Sequence, residues 1–148
     1  MPQRILQTVK KAGYQAGLLL LLVGSPAQAG DILVTVEGIQ ASGRVHAALV
    51  DGQQRRWPEQ PLRQQHSDDA QLRLADLPPG RYAIQLYQDS NGNGQLDQGR
   101  RGIPLEPVGF SANPPLVNGK PSPRDSQFEH GTVDTQLHIR LQSPKAKK

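Results

Sequence analysis

The stretch Leu77-Pro-Pro-Gly-Arg-Tyr-Ala-Ile-Gln-Leu-Tyr87 combines a tight turn with the start of a β-strand. Proline presets φ at about −65° and glycine takes the positive φ that such turns require. Tyr82, Ile84 and Leu86 then alternate with less apolar neighbours. This period of two predicts a strand with one face in a core.

Short alternating runs of the same kind lie on both sides of this strand. They are Ile32, Val34 and Val36; Val45, Ala47 and Leu49; Leu72 and Leu74; and Leu137, Ile139 and Leu141. Residues 52–69 are predicted to form a surface loop with room for one short edge strand, and residues 127–129 to form a short strand. Proline and glycine exclude a long helix from 98–124. The pattern predicts an all-β fold, a single antiparallel, immunoglobulin-like β-sandwich of six or seven strands.

The N-terminal residues 1–29 are predicted to be an export signal. Arg4, Lys10 and Lys11 precede the apolar run at 18–23, and Ala27-Gln-Ala29 fits a cleavage site. A retained membrane helix is the alternative, but the run is far shorter than the ~20 residues that span a bilayer. We expect a β-sandwich domain at 30–142, a disordered basic tail at 143–148, and a periplasmic or secreted protein without stable membrane insertion after cleavage.

Charge and cysteine content narrow the class of protein. Removing Arg4, Lys10 and Lys11 from the 17 Lys and Arg residues leaves 14, against 13 acidic residues. No basic stripe is left, so nucleic acid is not expected as a partner. The sequence has no cysteine, so an exported domain of this kind must be stabilised by its core and, we expect, by a bound metal ion.

The segment after the strand, Asp89-Ser-Asn-Gly-Asn-Gly-Gln-Leu-Asp97, matches the first nine positions of an EF-hand calcium loop. Calcium prefers oxygen ligands, and this spacing can wrap alternate side chains around one ion. Leu96 is expected to point inward and anchor the loop. The predicted ligands are the side chains of Asp89, Asn91, Asn93 and Asp97 and the backbone carbonyl of Gln95.

The twelfth position of the EF-hand pattern, normally glutamate, is Arg100. Glu106 is the predicted replacement ligand, because it is the carboxylate of the neighbouring Pro-rich segment. Alternatively, Glu106 pairs with Arg100 or Arg101, or accepts backbone N–H groups. The loop as a whole also has a metal-free interpretation, since two Asn-Gly pairs are typical of consecutive β-turns.

Three segments together resemble a bacterial family of exported proteins, the domain of unknown function family 2141. They are Leu77-Pro-Pro-Gly-Arg-Tyr-Ala-Ile84, the loop 89–97, and Gly102-Ile-Pro-Leu-Glu-Pro-Val-Gly-Phe-Ser111. The likeness covers about residues 31–141. Val108 stands where the family usually has an aromatic residue, and Ala112 where it usually has asparagine.

The resemblance implies a transthyretin-like or carboxypeptidase-regulatory-like sandwich, also similar to calcium-binding B-type repeats. It implies an accessory or binding module and no established reaction. Together with the export signal and the absence of catalytic spacing, this leads us to expect a non-enzymatic module of the envelope, with an envelope protein or glycan as partner. Two alternatives stay open. One is a hydrolase on a transthyretin-like scaffold, and the other is a carbohydrate-binding module that stacks sugars on Trp57 and Tyr87.

The remaining side chains favour no reaction. No histidine pair has zinc-site spacing, and each histidine, His46, His66, His130 and His138, is predicted to lie on a solvated face. Trp57 is predicted to plug the open side of the sandwich.

Overall fold

The computed structural model describes residues 29–40, 42–116 and 119–143. The predicted signal lies outside them apart from Ala29, and the predicted tail lies outside them apart from Ser143. Within these ranges no helix is long and apolar enough to cross a membrane. The described residues form eight strands: β1 Gly30–Glu37, β2 Arg44–Asp51, β3 Arg63–Ser67, β4 Gln71–Leu77, β5 Gly80–Asp89, β6 Val108–Phe110, β7 Gln127–His130 and β8 Thr135–Arg140. Two 3₁₀ turns lie at Arg100–Gly102 and Arg124–Ser126.

The strands form two sheets, which confirms the all-β sandwich. One sheet has the order β4-β1-β8, and the other has the order β3-β2-β5-β6 with β7 also paired to β5. The described part thus contains eight strands where six or seven were predicted. β3 is the short edge strand that was predicted as possible within residues 52–69. Its residues are mostly exposed.

One pairing corrects the prediction of a purely antiparallel sandwich. β8 runs parallel to β1, with Val34 opposite Leu137 and Val36 opposite Ile139. The other strand pairs are antiparallel. The alternation of apolar residues is the same for both strand directions, so the sequence pattern does not distinguish them.

The core lies between the sheets and is built from the alternating residues of the sequence. Its buried members are Ile32, Val34, Val36, Val45, Ala47, Leu49, Leu72, Leu74, Leu77, Tyr82, Ile84, Leu86, Ile139 and Leu141. The Tyr82 hydroxyl donates to the Pro78 carbonyl at 2.6 Å, which links the turn between β4 and β5 to β5. The positive φ expected for Gly80 in this turn is wrong, since Gly80 lies outside that region.

β6 and β7 pair with successive parts of β5, and Ser111 fills the gap between them. Its N–H donates to the Ile84 carbonyl at 2.9 Å, and its hydroxyl accepts from the Ile84 N–H at 2.9 Å. The same hydroxyl donates to the Ser126 carbonyl. Ser111 therefore satisfies buried backbone groups that no strand partner reaches.

The edge of β8 is covered by residues that follow β6. The Asn113 side chain donates to the His138 carbonyl and accepts from the Arg140 N–H, both at 2.9 Å. Further along, Val108 and Gln142 exchange two backbone hydrogen bonds. The family pattern usually has asparagine at the position of Ala112. In this chain the amide that covers the edge comes from the next residue, Asn113.

Gly109 lies where β6 meets the end of β8. A Cβ atom at this position would come within 2.9 Å of both the Arg140 carbonyl oxygen and Ile139 Cγ2. Such contacts require backbone movement, so a side chain larger than hydrogen forces the two sheets apart.

We therefore expect Gly109→Ala to lower the free energy of unfolding by about 1–3 kcal/mol, the usual cost of overpacking. Gly131→Ala is the matched control, because a Cβ at Gly131 meets no atom within 4 Å. Urea denaturation measures both. Equal stability of the two variants would contradict the close approach.

Candidate metal centre

The loop begins at Asp89, the buried last residue of β5. One oxygen of its carboxylate accepts from the Gly92 N–H at 3.0 Å and the other from the Gly94 N–H at 2.7 Å. Gly92 and Gly94 have φ values of 73° and 75°, a region that glycine adopts without steric cost. Asp89 thus folds the chain around its own carboxylate, and the two glycines make that path possible.

Asn91, Asn93 and Asp97 come together on this loop. Asn93 Nδ2 donates to Asp97 Oδ1 at 2.8 Å, and Asn91 Nδ2 donates to Asp97 Oδ2. The two asparagine oxygens accept from backbone N–H groups, Asn91 from Asn93 at 3.2 Å and Asn93 from Gln95 at 3.0 Å. The Tyr87 hydroxyl donates to the Gly94 carbonyl at 3.0 Å, which ties the middle of the loop to β5.

Glu106 fastens both ends of the loop. It is 5% exposed, and its two carboxylate oxygens accept from the Ser90 N–H at 3.0 Å and the Asp97 N–H at 3.2 Å. This is the backbone-acceptor alternative considered for Glu106. Leu96, in contrast, is half-buried and lies outside the core cluster, so the expectation that it anchors the loop is wrong. A buried carboxylate does the anchoring instead.

The donor set of the loop is made of oxygen atoms. No group of three or more His, Cys, Asp or Glu side chains that could hold a metal is found among the described residues, so a site here needs amide and backbone oxygens as well. Such oxygen ligands suit a hard cation like calcium and are unsuited to zinc. An ion would require the Asn91 and Asn93 amides to exchange their contacts with Asp97 for contacts to the ion. The assignment of the six predicted ligands stays a prediction.

His46 adjoins the loop from β2, and its predicted solvated position is wrong. Its ring stacks on Tyr87 with centroids 4.9 Å apart and planes 7° from parallel. Its Nε2 is buried, has no hydrogen-bond partner in the described part of the chain, and lies 3.8 Å from Asp89 Oδ2. Burial lowers the pKa of His46, and the Asp89 carboxylate opposes this shift in part. The contact follows from the register between β2 and β5, which places His46 directly opposite Tyr87.

His130 also differs from the prediction, since it is 3% exposed. Its Nδ1 lies 2.7 Å from Thr135 Oγ1, and its Nε2 lies 2.9 Å from the Leu77 carbonyl and 3.2 Å from the Gly30 carbonyl. His130 thereby links β7 to the ends of β1 and β4 and acts as a structural residue. In the sequence, His130 precedes Gly131 as a residue at an ordinary turn would. No local signal therefore revealed its structural role.

Trp57 covers the outer face of the five-stranded sheet, in agreement with the predicted plug. Its ring centroid lies 5.7 Å from that of Phe110, and its Nε1 donates to the Pro121 carbonyl at 2.7 Å. The Lys120 ammonium lies 5.4 Å from the ring centroid, a cation–π arrangement. Burial lowers the pKa of Lys120.

Fold and loop together define a β-sandwich with an oxygen-rich loop fastened at the end of a central strand. The model of the domain of unknown function family 2141, described as an uncharacterized protein conserved in bacteria, matches residues 34–138. The chain belongs to this family. No curated protein and no solved structure matches the chain, and the likeness to transthyretin-like sandwiches stays a prediction.

The contacts of Glu106 lead to a test of the loop's anchor. In Glu106→Gln one acceptor oxygen becomes an amide group that faces a backbone N–H donor. We expect this variant to lose about 2 kcal/mol of stability in urea unfolding, the usual cost of losing a buried hydrogen bond to a charged group.

Glu59→Gln is the matched control for this measurement, because Glu59 is exposed in the loop between β2 and β3. If Glu106→Gln unfolds at the same urea concentration as the control, Glu106 does not hold the loop.

Proposed function

We propose that this protein is a non-enzymatic, exported β-sandwich that serves as a binding or accessory module of the bacterial envelope, stabilised by calcium in the loop 89–97. One observation carries the proposal. Two buried carboxylates, Asp89 and Glu106, hold an oxygen-rich loop in a fixed path at the end of a central strand.

A calcium ion suits this loop for an energetic reason. Asp97 concentrates negative charge opposite two amide groups, and a divalent ion would neutralise it while replacing water with fixed oxygens. The chain has no cysteine, so a ligand that binds the folded state supplies stability that disulfides give to other exported domains. A site with few carboxylates binds calcium modestly, which is suited to calcium-rich spaces outside the cytoplasm.

The partner proposed for the module is a protein or glycan of the envelope. A hydrolase on the same scaffold would need a titratable side chain that reaches substrate. His46 is the histidine closest to the loop's carboxylates, but its Nε2 is shielded from solvent. A sugar platform on Trp57 and Tyr87 would need free ring faces, whereas Lys120 lies over Trp57 and His46 stacks on Tyr87. These contacts favour the binding module over both alternatives.

The calcium proposal predicts a stability increase. The purified protein at a calcium concentration of about 100 times its dissociation constant gains about 2.7 kcal/mol. For a domain of this size the unfolding temperature then rises by roughly 10 °C. Differential scanning calorimetry with calcium and with a chelator measures the shift.

Asp97→Asn tests the site itself, since it removes a ligand charge while keeping the side-chain size. We expect calcium affinity to fall at least about tenfold. The control is Asp76→Asn, because Asp76 is exposed in β4 and its φ of 56° also suits asparagine. Absence of a calcium-induced shift up to millimolar concentration in the unchanged protein would refute calcium binding.

A further inference from the structure

A short hairpin continues directly from the loop. The Leu105 N–H donates to the Asp97 carbonyl and the Gly99 N–H donates to the Ile103 carbonyl, both at 2.8 Å. A bridge between Gln98 and Pro104 lies between these bonds. We call residues 97–105 the tip hairpin; its turn is the 3₁₀ segment Arg100–Gly102.

The tip hairpin exposes apolar side chains in a way that the sandwich does not require. Ile103 and Leu105 are 48% and 68% exposed, and they lie two residues apart on one arm, hence on the same side. The opposite arm has Gly99, where a Cβ atom would come within 3.1 Å of Leu105 Cδ2. The glycine leaves room for the leucine, so this edge of the hairpin exposes both aliphatic side chains.

Positive charge borders this edge. Arg100 and Arg101 are exposed at the turn, and no ion pair joins either one to another described residue. Aliphatic side chains flanked by arginines match the interface of an anionic bilayer, where the chains enter the headgroup region and each cation adds attraction.

The adjoining loop sets the sign of the local charge. Residues 89–106 contain three carboxylates and two arginines, which leaves one negative charge. A bound calcium ion would reverse this to one positive charge. Asp97 belongs to both the loop and the tip hairpin. Its carboxylate accepts from Asn91 and Asn93 in the loop, and its carbonyl accepts from the Leu105 N–H in the hairpin. Occupancy of the loop therefore changes the field at the tip hairpin directly.

We propose that the tip hairpin docks on anionic phospholipid bilayers when calcium occupies the loop. This inference rests on the proposed calcium site and names a partner and a regulator for it. The hairpin is anchored by Glu106 through the Asp97 N–H, so it presents Ile103 and Leu105 with little ordering cost.

Vesicle co-sedimentation of the purified protein tests the inference. Vesicles contain phosphatidylcholine alone or with about 40 mol% phosphatidylglycerol, in about 1 mM calcium or in chelator. We expect the ratio of bound to free protein on the anionic vesicles to be about tenfold higher with calcium. Pure phosphatidylcholine should bind little protein in either condition.

Two double variants locate the contact, each with a matched control. Ile103→Ser with Leu105→Ser is compared with Leu62→Ser with Val133→Ser, whose native side chains are 58% and 73% exposed elsewhere. Arg100→Gln with Arg101→Gln is compared with Arg55→Gln with Arg56→Gln, another exposed arginine pair. Each tip variant should lose about tenfold in calcium-dependent binding, and each control should retain it.

Calorimetry of the same samples separates the two proposals. A calcium-induced rise in unfolding temperature without binding to anionic vesicles overturns the docking inference and leaves the calcium site standing. No rise in unfolding temperature overturns the calcium site. Binding that is equally strong in chelator, or that the tip variants share with their controls, also overturns calcium-dependent docking through this hairpin.

Discussion

The buried carboxylate of Glu106 joins the two ends of the loop 89–97 at the base of the tip hairpin. It accepts hydrogen bonds from the N–H groups of Ser90 and Asp97. These are the second and the last residue of the oxygen-rich loop. A carboxylate at 5% exposure is stable only when its oxygens are hydrogen-bonded, and two backbone donors meet this requirement. The path of the loop and the base of the tip hairpin both depend on this interaction. Without it, the loop would keep its contacts with the Asp89 carboxylate and the Tyr87 hydroxyl but would lose the link between its two ends.

Several residues of the segment 102–111 make contacts on which the local structure depends. Gly102 takes a φ of 69° in the tip hairpin, Glu106 fastens the loop, and Gly109 lets β6 approach β8. Phe110 packs under Trp57, and Ser111 completes the hydrogen bonding of Ile84. The family resemblance in this stretch therefore has a physical explanation. Each of these residues is required by the local backbone conformation, by packing or by hydrogen bonding.

The candidate site could be predicted in part because its residues are close in sequence. Asp89, Asn91, Asn93 and Asp97 lie within one turn-rich stretch, so the loop geometry follows from local spacing and from the glycines between them. The sequence left three roles open for Glu106: a ligand, an ion-pair partner or a backbone acceptor. The structure shows the backbone contacts, and the ligand role stays a prediction. His46 could not be placed, because its contact with Tyr87 arises from the register between β2 and β5.

The all-β class, the inward residues of β1, β2, β4, β5 and β8, and the oxygen-rich loop could all be predicted from local sequence patterns. These follow from period-two alternation and turn chemistry, which act over a few residues. The tertiary fold was needed to show that β8 runs parallel to β1, that His130 is buried among three strand ends, and that Ser111 bonds Ile84 in the gap between β6 and β7. Each of these depends on which distant segments meet, and alternation of side chains carries no information about the partner or direction of a strand.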